Sequence, residues 1–176
     1  NNVQLHVSAE GNVGFVKADR SAVHPIDVCY IMNPAVYALF QQIEREGAGE
    51  SIGITEPDPT PDVSPTVRRV GLRGSVRTGD QMIVLETEGD AVPAIELDRP
   101  VAVTLRVGGE EEAPVTVPLR GEPWIEEELG GRRWHISGGG FFQVNTAMAE
   151  QLLAVARDFA GPLSGRERIL DAYAGV

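Results

Sequence analysis

A chain of 176 residues, 42% hydrophobic and 23% charged, has length for one large or two small domains with a buried core. Its net charge of −11, with Lys17 the only lysine among fifteen basic residues, repels phosphate backbones at long range. This argues against a strong non-specific nucleic-acid binder and leaves room only for a local basic face. No apolar run approaches the ~20 residues of a membrane span. The single cysteine, Cys29, excludes an internal disulfide and fits a reducing, cytoplasmic compartment. The first residues carry no methionine, basic n-region or apolar h-region, so no signal peptide is read and Asn1 is expected to be an internal cut.

In chain order, Val3-Gln4-Leu5-His6-Val7 alternates as a half-buried strand does, and a turn at Glu10-Gly11-Asn12 leads to a hairpin partner at 13–16. Residues 23–30 read as a second extended piece, interrupted by Pro25. Asn33-Pro34 is a helix start, an Asn cap with proline at the first helical position. The spacing of Val36, Leu39, Phe40 and Ile43 predicts a helix over 34–46 that stops at Gly47. Four of the twelve prolines fall in 56–65, which reads as a loop. Residues 66–76 and 82–87 form a β-rich pair around Thr78-Gly79-Asp80, and 101–107 with 115–119 form another. Trp134-His135-Ile136 reads as one more strand after Gly130-Gly131, and Glu126-Glu127-Glu128 as a solvated edge.

From Asn145 the period becomes helical: Met148, Leu152, Val155 and Phe159 recur on one face and Gly161 closes the helix. Ile169-Leu170-Asp171 then reads as a buried strand running into the small residues Ala172-Tyr173-Ala174-Gly175. Strand ends of this kind let backbone approach a ligand closely, although many are only structural turns. The expected fold is therefore α+β: a β-rich central domain over 1–137, then the first helix and strand of a truncated Rossmann-like α/β domain over 138–176.

Three constellations carry chemistry. Gly138-Gly139-Gly140-Phe141-Phe142-Gln143-Val144-Asn145 places two amides after two aromatics. It is either a loop packing Phe141 and Phe142 into a seam or a surface offered to a flat ligand such as a base. Arg68, Arg69, Arg73 and Arg77 form the one basic cluster of note, either a solvated sheet face or a strip that contacts phosphates. Cys29 reads as a small buried apolar residue, and alone it completes no metal site, which usually needs about four ligands. His6, His24 and His135 fall in separate strands without ligand spacing.

In their order, these pieces resemble the RNA (uracil-C5)-methyltransferase family, which uses S-adenosylmethionine to make 5-methyluridine in tRNA and rRNA. The likeness rests on Gly14-Phe15, on Ile26-Asp27-Val28-Cys29 followed by Ile31 and Pro34, and on Gly121-Glu122-Pro123-Trp124. It continues through Gly131, Trp134-His135-Ile136-Ser137, Phe141-Phe142-Gln143-Val144-Asn145 and Asp171-Ala172-Tyr173-Ala174-Gly175-Val176. The last two elements are the specific ones.

The resemblance implies that Gln143 and Tyr173 bind S-adenosylmethionine and that Phe141 lies near a flipped uracil. Arg69 and Arg73 are the candidate RNA contacts. Cys29 is similar to the last of four cysteines that hold an iron–sulfur cluster in some members. Ala174 departs from a frequent cysteine there that is not the nucleophile. In this family a cysteine thiolate adds at uracil C6, C5 then takes the methyl group, and a base removes the C5 proton. Those two groups are expected beyond Val176, so the piece is expected to be inactive and to lack measurable cofactor affinity. The rival readings are a non-catalytic RNA-interaction module and a methyltransferase of the same fold with another acceptor.

Overall fold

The structure, a computed structural model, describes residues 2–9, 12–45, 67–87, 100–108 and 115–170. The predicted 56–65 loop, the Asp171–Val176 segment with Tyr173, the stop at Gly47 and the Glu10-Gly11 turn residues lie outside them.

Nine strands and two helices are described: β1 (Asn2–Val7), β2 (Val13–Val16), β3 (Val23–Pro25), α1 (Pro34–Arg45), β4 (Val67–Gly74), β5 (Gln81–Thr87), β6 (Ala102–Val107), β7 (Val115–Arg120), β8 (Trp124–Leu129), β9 (Arg132–Ser137) and α2 (Thr146–Ala160). Seven strands form one sheet in the order β3-β2-β1-β4-β5-β6-β7, and β8 pairs with β9 in a separate hairpin. Every neighbour pair is antiparallel except β5 with β6.

Period-2 alternation gives the sheet two different faces. Val3 and Leu5, Val70 and Leu72, Ile83 and Leu85, and Val103 and Leu105 share one side and join the main core. Helix α1 covers it with Val36, Leu39, Phe40 and Ile43, the four residues its spacing marks. Asn33 starts this helix as expected, its Oδ1 accepting from the Val36 amide at 2.8 Å. Its Nδ2 also donates to Gly74 O at 3.1 Å, so one residue caps the helix and ties it to the end of β4.

On the other side Met82 and Val84 meet Ile125 and Ile136 of the hairpin in a second, smaller cluster. The hairpin turns on Gly130 and Gly131, with φ of 61° and 73°. Two successive positive φ values define the two-residue turn whose twist suits a hairpin, and glycine adopts them without a Cβ clash.

Three expectations change. The second extended piece is a strand only over Val23–Pro25. Pro25 has no amide proton, and the pairing closes with Ile26 N donating to Val13 O at 3.4 Å. The glutamate run is no solvated edge but part of β8: Glu126 and Glu128 are partly exposed, whereas Ile125 and Glu127 are buried. Ile169 and Leu170 are not in a strand and stand 75% and 89% exposed. A buried strand needs a ladder on its flanks, and none of the described strands lies beside these two residues. Helix α2 forms as its period requires, but no residue of it is buried.

Candidate functional site

The second sheet face carries a charged row. Register sets His6 opposite Arg69, Arg69 opposite Glu86, and Glu86 opposite Arg106. Arg69 pairs with Glu86 at 2.9 Å, and Arg106 reaches the same carboxylate at 3.4 Å. Partial burial, and after it the positive charge of Arg69, lowers the His6 pKa, so this imidazole is neutral near pH 7.

Arg73 lies on the same face and is 6% exposed. Its Nη2 donates to Gly140 O at 2.7 Å, and burial followed by the charge of Arg106 lowers its pKa. Arg69 and Arg73 are thus brought together, with Arg106 added from β6. The other two arginines of the cluster separate from them. Arg68 sits at a bulge between Val67 and Arg69, and Arg77 lies in the β4–β5 turn.

The glycine–aromatic–amide run crosses this face as a strap. Gly138 is buried where a Cβ would stand 2.7 Å from Thr104 Oγ1 and 3.3 Å from side chains of Thr116 and Val84. Phe142 packs on the second cluster, whereas Phe141 is 76% exposed and Gln143 is exposed. Phe141 and Gln143 therefore face outward from a strap that Gly138 and Phe142 hold down. The Gln143 carboxamide bonds to no described residue and borders a narrow cleft with Arg73, Glu127 and Asn2. Asn145 has a structural role: its Oδ1 accepts from the Met148 amide at 3.0 Å and caps α2.

Glu127 is the residue that the sequence reading missed. It is 5% exposed, and its Oε1 accepts from Ser75 Oγ at 3.0 Å and from the Glu128 amide at 2.9 Å. The signal lay in the period-2 placing of Ile125, Glu127 and Leu129 before a Gly-Gly turn.

The β4–β5 turn ties this site to α2. Arg77 forms a two-bond fork with Glu150 at 2.6 and 2.7 Å, and Glu150 also accepts from the Gly130 amide at 2.9 Å. The Arg77 hydrogen bonds first, and then the Gly130 amide, pull the Glu150 pKa from 4.5 to about 2. A depressed carboxylate pKa stabilises the contact fully above its ordinary value and loses that contribution as pH falls from about 4.5 through about 2. Carboxyl-resolved NMR should place the Glu150 midpoint near 2 and move it up toward 4.5 in Arg77→Ala, with the Gly130 amide still holding it below that value. A midpoint near 4.5 in the unaltered chain would contradict the clasp.

Cys29 is a half-buried free thiol packed against the main core. Among the described residues no group of three or more His, Cys, Asp or Glu could hold a metal ion, so a single thiol does not make a cluster site. His135 stacks on Trp124 at 5.0 Å, and His6 and His24 lie in β1 and β3.

The second sheet face thus carries a strap with outward aromatic and amide groups beside a row of arginines. No protein-family model matches the chain. An uncharacterized RNA methyltransferase of Streptomyces avermitilis is 32% identical over 99% of this chain and 35% of its own length. Another, from Thermosynechococcus vestitus, is 36% identical over 64% of this chain and 28% of its own. Among solved structures, the Pyrococcus abyssi tRNA (uracil-54, C5)-methyltransferase in complex with S-adenosyl-L-homocysteine superposes with a TM-score of 0.59 at 20% identity. That match covers 89% of this chain and 40% of the other, and it speaks for the fold. The chain belongs to the RNA methyltransferase family that its motifs resemble, and it spans about a third of the length of the Streptomyces relative.

Proposed function

We propose that the whole protein transfers a methyl group from S-adenosylmethionine to C5 of a uridine in tRNA or rRNA, acting in the cytoplasm. The observation that carries this reading is the strap, which turns Phe141 and Gln143 outward while Phe142 and Gly138 anchor it. The names of the relatives support RNA as the substrate. The ligand and target of the Pyrococcus neighbour support the cofactor and the uracil acceptor.

Bound S-adenosylmethionine supplies an electrophilic methyl group on a sulfonium. The exposed Gln143 carboxamide, which bonds to no described residue, suits the role of holding the cofactor, with Tyr173 as its family-implied companion. Phe141 offers an exposed ring to the uracil that has left its stack. Arg69 and Arg73 contact the RNA. Cys29 serves as a cluster ligand only where three further thiolates accompany it.

The domain division at residue 138 belongs to the same proposal. The remaining length of such a protein completes an α/β domain over the bare face of α2 and over Ile169 and Leu170. By the same reading the nucleophilic cysteine and the base lie in that remainder, and the 176-residue chain alone transfers no methyl group.

Deleting the gene and digesting total tRNA and rRNA to nucleosides tests the proposal. The expected result is loss of 5-methyluridine at one position, restored by the gene. Loss of a different methylated nucleoside would assign another acceptor, and an unchanged profile would favour a non-catalytic RNA module.

A further inference from the structure

Arg69, Arg73 and Arg106 line one narrow cleft on the second sheet face, and among the described residues Glu86 is the only carboxylate lining it. Glu86 serves two of them unequally, at 2.9 Å to Arg69 and 3.4 Å to Arg106. Arg73 has no carboxylate within ion-pair reach among the described residues, and Gly140 O is its hydrogen-bond acceptor. Arg69 Nε is buried without a hydrogen-bond partner. A buried cation is costly unless paired, and here donors exceed acceptors in one place. Asn2 and Gln4 add amide side chains to the lining. Burial first, and then the charge of a neighbouring guanidinium, lowers the pKa of both His6 and Arg73, in a chain whose net charge is −11.

We propose that the mouth of this cleft is a phosphate site, one phosphodiester of the RNA strand resting on the part-exposed Arg69 and Arg106 above the buried Arg73, with Glu86 as the resident counter-ion that the phosphate displaces from Arg106. The inference rests on RNA as the partner and adds Arg106, the chemical group bound and the role of Glu86. Planar guanidinium forks on β4 and β6, the two strands that flank β5, match phosphate oxygens with two parallel N–H···O bonds each. The long Arg106–Glu86 contact is the weakest bond in the row, so it is the one that gives way. Such a contact positions the strand and reads no base.

The test measures anisotropy of a fluorescein-labelled oligo-uridylate with the 176-residue chain across a sodium chloride series, with circular dichroism of each variant. Arg106→Ala should weaken binding about 5- to 10-fold, and its log–log salt slope should fall by about 0.7, the loss of one contact to a single strand. Glu86→Gln should do the opposite and tighten binding about 3- to 5-fold, an outcome that a merely structural ion pair does not produce. Inorganic phosphate at 10 mM should compete only weakly, because a free anion lacks the neighbouring contacts of a strand.

Unchanged affinity and slope in both variants would overturn the cleft while leaving RNA binding by the unaltered chain standing. Weaker binding in Glu86→Gln, full competition by inorganic phosphate, or no RNA binding by the unaltered chain would overturn it as well. The nucleoside profile of the deletion judges methyl transfer separately.

Discussion

Gly138→Val should unseat the strap and cost the domain about 2–6 kcal/mol. The site has no room: a Cβ alone would stand 2.7 Å from Thr104 Oγ1, and valine adds two methyl groups between Thr116 and Val84. Overpacking of this kind costs typically about 1–3 kcal/mol. Displacing the strap also removes Gly140 O from the buried Arg73 guanidinium, which adds about 1–3 kcal/mol for an unsatisfied buried donor. Against a typical total of roughly 5–15 kcal/mol this is a large fraction. Thermal unfolding measures it, at about 2–4 °C per kcal/mol for a domain of this size. Gly138→Ala should be milder and should recover when combined with Thr104→Ala, which removes the hydroxyl in the way. Recovery identifies the Thr104 contact as the cause, and a wild-type melting temperature in Gly138→Val would contradict the close approach.

Gln143→Ala in the full-length protein should weaken S-adenosylmethionine binding about 10- to 100-fold. A hydrogen bond to a charged group is worth about 1.5–3 kcal/mol, and each ~1.4 kcal/mol is a factor of ten. The fold should not respond, because the carboxamide is exposed and bonds to no described residue, and surface changes of this kind stay within about 0.5 kcal/mol. Calorimetry with S-adenosylhomocysteine separates the two effects. An unchanged dissociation constant would remove Gln143 from the cofactor site. Phe141→Ala is the complementary variant: it should leave cofactor affinity intact and reduce turnover on RNA.

The parts of the fold that were legible in sequence are those whose cause is local. Asn33-Pro34 declares a cap and a first turn, and the four apolar residues that follow at helical spacing are the four that α1 buries. Asn145 and Gly161 bracket α2 for the same reason. What was not legible depends on partners far along the chain. Glu127 sits in a row of three glutamates and looks solvated, yet Ser75, a residue from the opposite side of the sequence, makes its burial tolerable.

The arginine cluster illustrates the same limit. Its four members are near one another in sequence, but a strand, a bulge and a turn send them to different surroundings, and the third member of the cleft, Arg106, comes from β6. Ile169 and Leu170 have strand composition, but hydrogen-bond partners make a strand, and composition does not supply them. The candidate site was half legible. Phe141 and Gln143 follow from a motif, whereas Gly138 gains its meaning only from Thr104 and Thr116 beneath it.

The most direct measurement is methyl transfer by the purified full-length protein, with S-adenosylmethionine carrying a labelled methyl group and unmodified tRNA and rRNA as acceptors. Nucleosides from the digested product are then separated by mass. The predicted result is label in 5-methyluridine and in no other nucleoside. Label in a different methylated nucleoside, or RNA left unlabelled by a folded protein that binds the cofactor, would contradict the assignment.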